Sequence, residues 1–317
     1  MKAFAVLVLL SISYVLGSPV DVEEPIAPTF DAYRDVRILL ITRQNLNNPQ
    51  QLHFRNLLSV QQSQFRSNRP TRVLVHGWFE DDTSDIKVET AAELLAAYDL
   101  NVLFIDWSEG SRTINYIGAR NRVPTVGTYI ASYLDFLHEN NLIQWNRVNL
   151  VGFSLGAHIA GMAGKGVRRG RINAIIGLDP AGPLFSVRTP SERLDANDAN
   201  YVEVIHTNGP TLVLIGAGIG AAIGDADFWP NGGTSQPGCL TNTCSHGRAV
   251  DFYVESIRNN AFFALQCPGR EDISSRRCVI QPGAWMGGDA INFDKALSGC
   301  FYLETNRNSP HAQGPPR

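Results

Sequence analysis

Short, nearly continuous apolar runs alternate along this chain with longer stretches of helical spacing. Val36–Thr42 (VRILLIT), Arg72–Val75, Val102–Ile105, Val148–Val151, Ala174–Leu178 and Val202–Ile205 have the length and β-branched content of buried strands. Between them, Ile86–Tyr98 carries Ile86, Leu94, Leu95 and Tyr98 at helical spacing. Val126, Ile130, Leu134 and Leu137 recur at i, i+4, i+8 and i+11, the mark of an amphipathic helix. Ala157–Met162 continues the Val148 run with helix formers. Strands that alternate with helices predict an α/β protein with a mostly parallel sheet covered on both faces.

Outside this core the pattern weakens. Ser18–Thr29, rich in proline and acid, reads as an N-terminal arm, and Gln44–Arg69 as a long polar connection with one short helix. Glu80–Asp85 is an acidic loop, and Lys165–Arg171 (KGVRRGR) a solvated basic one. Thr211–Ile223 (TLVLIGAGIGAAI) is apolar but glycine-rich, so it reads as flexible rather than as a packed helix. Asp227–Gly238 is turn-rich. Ser245–Ile257 reads as a helix with Ser245 as its N-cap. What remains reads as loops and disulfides ending in a strand, Cys300–Thr305. No repeat or linker divides the chain, so residues 18–317 form one domain.

Met1-Lys2 and the apolar Ala3–Leu16 resemble a secretory signal peptide, cut near Gly17/Ser18. The run falls short of the roughly 20 residues a membrane span needs. A secreted, extracellular product is therefore expected. The 317 residues are 44% hydrophobic, enough for a sizeable core, and the net charge of −3 gives no electrostatic case for a nucleic-acid partner. All five cysteines lie in the last quarter. In an oxidising compartment they suggest two disulfides, with nearest neighbours Cys239–Cys244 and Cys267–Cys278 paired and Cys300 left over. No spacing among them suggests a metal centre.

The strand ends carry the candidate chemistry. His76, Asp106, Ser154, Asp179 and His206 all sit at or just past predicted strand C-termini, where open parallel sheets place their ligands. Gly152-Phe153-Ser154-Leu155-Gly156 fits G-x-S-x-G, a strand-to-helix turn that pushes a serine hydroxyl out of the fold. A serine needs a base oriented by a carboxylate, and behind such a turn the order is Ser, acid, His. Asp179 is the acid at the next strand end. His206, His246 and His311 follow, and His246, on a loop that a disulfide would pin, is preferred to His206. The oxyanion hole should combine the N–H of Leu155 with that of Trp78, just after an early strand. His158 packs beneath the serine.

Five ordered blocks make this specific: GFSLGAH, GLDPAGP (Gly177–Pro183), RLDANDANYVEVIHT (Arg193–Thr207), DFWPNGG (Asp227–Gly233) and CSHGRAVDFYVES (Cys244–Ser256). From about Val36 onward the chain resembles the pancreatic-type neutral lipases, a family of triacylglycerol lipases, phospholipases A1 and insect relatives. The resemblance implies an α/β-hydrolase fold. It places the triad on Ser154, Asp179 and His246 and the oxyanion hole on Trp78 and Leu155. It also implies a structural calcium beside Arg193, Asp195 and Asp198, although Glu192 is offset from the expected upstream glutamate. No cofactor is needed for the chemistry itself.

The chain departs from the family in three ways. Phe153 stands where histidine is common. No C-terminal β-sandwich is expected, and hence no colipase docking. Only Leu240–Thr243 separate the cysteines that bound the family's lid, too few for an amphipathic lid helix. Short-lid members resemble phospholipases A1 and galactolipases. The expected substrate is thus a phospholipid or galactolipid at a membrane or lipid-droplet surface, with Leu212–Ile223 facing the lipid. Triacylglycerol is the alternative, and an inactive lipid-binding or yolk-type storage protein is the alternative of another class.

Overall fold

In the computed structural model, which describes residues 29–211, 216–258, 260–289 and 298–315, eleven strands form one mixed sheet. They are β1 (Arg37–Ile41), β2 (Gln50–Leu52), β3 (Thr71–Val75), β4 (Asn101–Asp106), β5 (Val148–Phe153), β6 (Ala174–Leu178), β7 (Tyr201–Ile205), β8 (Ala226–Pro230), β9 (Phe263–Cys267), β10 (Val279–Trp285) and β11 (Gly299–Leu303). The helices are α1 (Ala32–Asp35), α2 (Leu57–Gln61), α3 (Asp85–Ala97), α4 (Ser108–Ser111), α5 (Tyr116–Glu139), α6 (Leu155–Gly166), α7 (Asn242–Arg258) and α8 (Arg270–Ser275). The strand order is β10-β9-β11-β8-β7-β6-β5-β3-β4-β1-β2. From β4 to β11 every pairing is parallel, and the pairings of β1, β2, β9 and β10 are antiparallel.

The parallel strands are buried on both faces, which is why they read as unbroken apolar runs. In β3, Val73 and Val75 join the core beneath α5 and α6, while Leu74 joins the core beneath α3 and α7. Helix α5 lays Val126, Ile130, Leu134 and Leu137 on the sheet and tolerates Pro124 within its length. The family resemblance and the sheet agree on an α/β-hydrolase fold, with its site at the carboxyl ends of β5, β6 and β7.

Several elements differ from the sequence-based expectation. Strand β2 lies inside the polar connection and is only three residues long. Strand β8 replaces the first part of the turn-rich segment. Its Asp227, buried in a run that also holds Trp229 and Pro230, hid its strand character. Strands β9 and β10 replace expected loops; they occupy one edge, where β9 is only partly buried. Ser245 is not an N-cap: α7 begins at Asn242, and Thr241 Oγ1 accepts the Cys244 N–H at 3.2 Å. The described part of the glycine-rich segment, residues 216–223, is a buttress rather than a lipid-facing surface. Ile219 and Ile223 enter the core, and the Ile219 N–H donates to Pro180 O at 2.8 Å. Residues 212–215, and the signal peptide expected over 1–17, lie outside the described residues.

One long-range tie closes the molecule. The Arg72 guanidinium on β3 pairs with Asp289, beyond β10, and both side chains are buried. Two disulfides, Cys239–Cys244 and Cys267–Cys278, secure the C-terminal quarter, and Cys300 is a buried thiol that burial pushes up to about 11.

Candidate active site

The turn from β5 into α6 holds Ser154 at φ +56°, a left-handed conformation that non-glycine residues rarely adopt. The turn closes only because its flanking glycines lack side chains. A Cβ on Gly152 would lie 2.2 Å from Gly156 O, and one on Gly156 would lie 2.2 Å from Val75 O. The Ser154 N–H donates to Leu178 O at 3.0 Å, which locks the turn to β6. The strain is thus held by neighbours on both sides, as expected of a functional turn.

Asp179, at the end of β6, is fully buried. Its Oδ1 accepts the N–H groups of Thr207 (2.8 Å) and Asn208 (3.1 Å). Its Oδ2 lies 2.6 Å from His246 Nδ1. A buried carboxylate needs such partners to remain charged. The imidazole donates through Nδ1, which leaves Nε2 as its basic atom. The Phe153 ring packs 4.5 Å from the His246 ring, centroid to centroid. The disulfide between Cys239 and Cys244 closes the loop just ahead of His246.

Ser154, His246 and Trp78 line one cavity of about 920 Å³, walled by Phe79, Tyr116, Phe153, Pro183 and Val250. Leu155 opens α6. The first N–H groups of a helix have no partner within it, and the helix dipole favours negative charge there. Trp78 follows β3 by three residues, and its indole N–H donates to Thr113 O at 2.8 Å, which fixes the side chain on the rim. Three of the five residues expected at the site, Trp78, Ser154 and His246, thus line this pocket, while Asp179 lies behind His246 and Leu155 directly follows Ser154.

The other histidines have separate roles. His206 pairs with Asp227 at 2.8 Å and stacks on Trp229, whereas both Asp179 oxygens are engaged by other groups. His158 is fully buried; its Nε2 donates to Ala181 O (2.8 Å) and its Nδ1 accepts the Leu194 N–H (3.1 Å). Burial, helped by the nearby Arg193 and Lys165, holds its pKa down at about 3. His76 Nε2 accepts the Trp107 N–H (3.1 Å), and its Nδ1 donates to Gly77 O (3.0 Å).

The calcium residues do not fit an ion as they stand. The Lys165 ammonium bonds to Asp198 and lies 2.9 Å from Arg193 O. The second Asp198 oxygen accepts the Asp195 N–H (2.9 Å), and Asp195 itself takes donors from Asn197 and Arg193. Burial pushes Asp198 up to about 6, with Lys165 opposing. Among the described residues no group of three His, Cys, Asp or Glu side chains is placed to share a metal. The sequence places Lys165 in a solvated basic loop, and nothing in its local context marks the ion pair, since Asp198 is 33 residues away.

Glu80, in the sequence simply the start of an acidic loop, is part of the site. It sits half-buried in the cavity wall, its Oε2 accepting the Gly77 N–H at 2.6 Å. Burial raises its pKa from the ordinary glutamate value, with the Gly77 N–H opposing.

Residues 21–311 match the family described as Lipase. The pancreatic triacylglycerol lipase of Ictidomys tridecemlineatus is 32% identical, over 91% of this chain and 68% of that one. Human pancreatic lipase-related protein 3 is 35% identical, over 88% and 65%. The mouse protein named inactive pancreatic lipase-related protein 1 is 33% identical, over 78% and 56%. The chain thus spans between 56% and 68% of the length of these relatives. Among solved structures, an α/β hydrolase from a deep-sea metagenome library, MGS-M1, is 19% identical with a TM-score of 0.32, over 56% of this chain and 72% of that one.

Proposed function

The chain belongs to the Lipase family, and from that premise we propose that it hydrolyses carboxylic esters of lipids, with Ser154, His246 and Asp179 as nucleophile, base and orienting carboxylate. The 2.6 Å contact between Asp179 and His246, on the wall that the strained Ser154 also enters, carries this reading. Ser154 Oγ attacks the ester carbonyl while His246 Nε2 takes its proton. The N–H groups of Trp78 and Leu155 hold the oxyanion. His246 then returns the proton to the departing alcohol, and water repeats the sequence to release the fatty acid.

Apolar surface around the cavity supports a lipid substrate. Ile114, in the segment that receives the Trp78 indole, is 91% exposed, and Leu240, in the disulfide loop, is 98% exposed. Phe79, Ile117 and Leu184 add to the exposed apolar residues of this region. The relatives' names favour triacylglycerol, and we adopt it as the first substrate class. The four-residue span between Cys239 and Cys244, with α7 starting inside it, supports phospholipid or galactolipid as the second reading. A side-by-side assay on emulsified triacylglycerol and phospholipid vesicles decides between them. Both disulfides suit a secreted product; a purified protein from secreting cells that begins at Met1 rather than near Ser18 would remove that part.

A relative named as inactive makes a non-catalytic role worth testing. Ser154→Ala should lower ester hydrolysis at least about 10³-fold with an unchanged far-UV spectrum. Labelling by a fluorophosphonate should be seen with the native chain and lost in the variant. Hydrolysis retained by Ser154→Ala sinks the assignment.

A further inference from the structure

Glu80 takes no part in the acyl-transfer steps, yet its carboxylate sits inside the turn that bears Trp78. That turn is tied at almost every peptide group. Trp107 Nε1 donates to His76 O at 2.9 Å, and the other end of the same peptide, the Gly77 N–H, donates to Glu80 at 2.6 Å. The next peptide is held at its carbonyl, Gly77 O, by His76 Nδ1 at 3.0 Å. Phe79 N–H donates to Ser111 O (3.2 Å), and Ser111 Oγ donates to Glu80 O (3.0 Å). Phe79 has φ +64°, so the turn needs these restraints.

Peptide planarity turns these ties into aim. The N–H of a trans peptide points opposite its carbonyl. Holding Gly77 at both its N–H and its carbonyl therefore fixes where the Trp78 N–H points. The turn also abuts the nucleophile: a Cβ on Gly77 would lie 2.9 Å from Ser154 Cβ and 3.2 Å from Glu80 Oε2. Of the two ties to Gly77, the one to Glu80 is the shorter, at 2.6 Å against 3.0 Å.

We propose that Glu80 is a positioning residue for the oxyanion hole: it grips the Gly77 N–H so that the adjoining peptide presents the Trp78 N–H to the substrate oxygen. The proposal rests on the reading of Ser154 as nucleophile.

The test uses the full chain and the soluble ester p-nitrophenyl butyrate, with Glu80→Gln, Glu80→Asp and Glu80→Ala compared to the native protein. Glu80→Asp keeps the charge but shortens the reach; Glu80→Gln keeps the reach and an acceptor oxygen. Asp and Ala should lower kcat by about 10- to 100-fold, somewhat less than deletion of an oxyanion donor, with KM changed by less than about twofold. Gln should recover most of kcat. The thermal midpoint of each variant separates a folding defect from a catalytic one, and the Gln and Asp pair suffices should Ala not fold. Native kcat in Glu80→Asp, a loss confined to KM, or a Gln variant as impaired as Asp overturns the proposal. Fluorophosphonate labelling of the native chain keeps the two readings apart. An unlabelled, inactive native chain removes the enzyme, whereas a labelled one with an unaffected Asp variant removes only the role of Glu80.

Discussion

Asp179 gives its two oxygens different tasks. Oδ1 is held by two backbone N–H groups, and Oδ2 faces His246 Nδ1. In Asp179→Asn the amide oxygen would stay with the two N–H groups, because the alternative buries opposed donors. The amide NH₂ would then face Nδ1 and force the proton onto Nε2, the atom that must act as base. A fall in kcat of about 10⁴-fold, with KM and thermal midpoint nearly unchanged, is expected in steady-state assays. At this scale Ser154, Asp179 and His246 were legible because each sits at a strand end or in an ordered motif. Glu80 and Lys165 were not legible. Their partners are a backbone N–H and a carboxylate far along the chain, and no residue pattern announces either.

Helix α6 connects Ser154 to the loop that the family resemblance assigns to calcium. Lys165, on its last turn, reaches across to Asp198 and to Arg193 O, so the helix carries its own cation to that loop. Lys165→Met should leave the buried Asp198 without its counter-charge and lower stability by about 3 kcal/mol in urea unfolding. EDTA should leave the native thermal midpoint in place, and a drop of several degrees on chelation would overturn this account. Elements were legible in proportion to their burial. The strands β3 to β7 are covered on both faces, so their apolar runs are continuous. Strands β2, β9 and β10 lie at the sheet's margins, where polar residues and glycine or proline are tolerated and the pattern dissolves.

Stability of the whole molecule should depend on acid through His158. Its folded pKa of about 3 lies below the unfolded value near 6.5, so the unfolded chain binds the extra proton first. Stability is therefore intact above pH 6.5 and falls as pH drops from there toward 3, by at most about 1.4 kcal/mol per unit. His158→Gln should be less stable at pH 7 yet show a shallower decline in urea midpoints between pH 6.5 and 4. The pairing of Arg72 with Asp289 reaches further still, spanning 217 positions of the chain. Until the later partner emerges from the ribosome, a cation destined for the interior of β3 has no counter-ion. The nascent sheet is thereby discouraged from closing early, and commitment to the native topology is deferred until Asp289 has been synthesised.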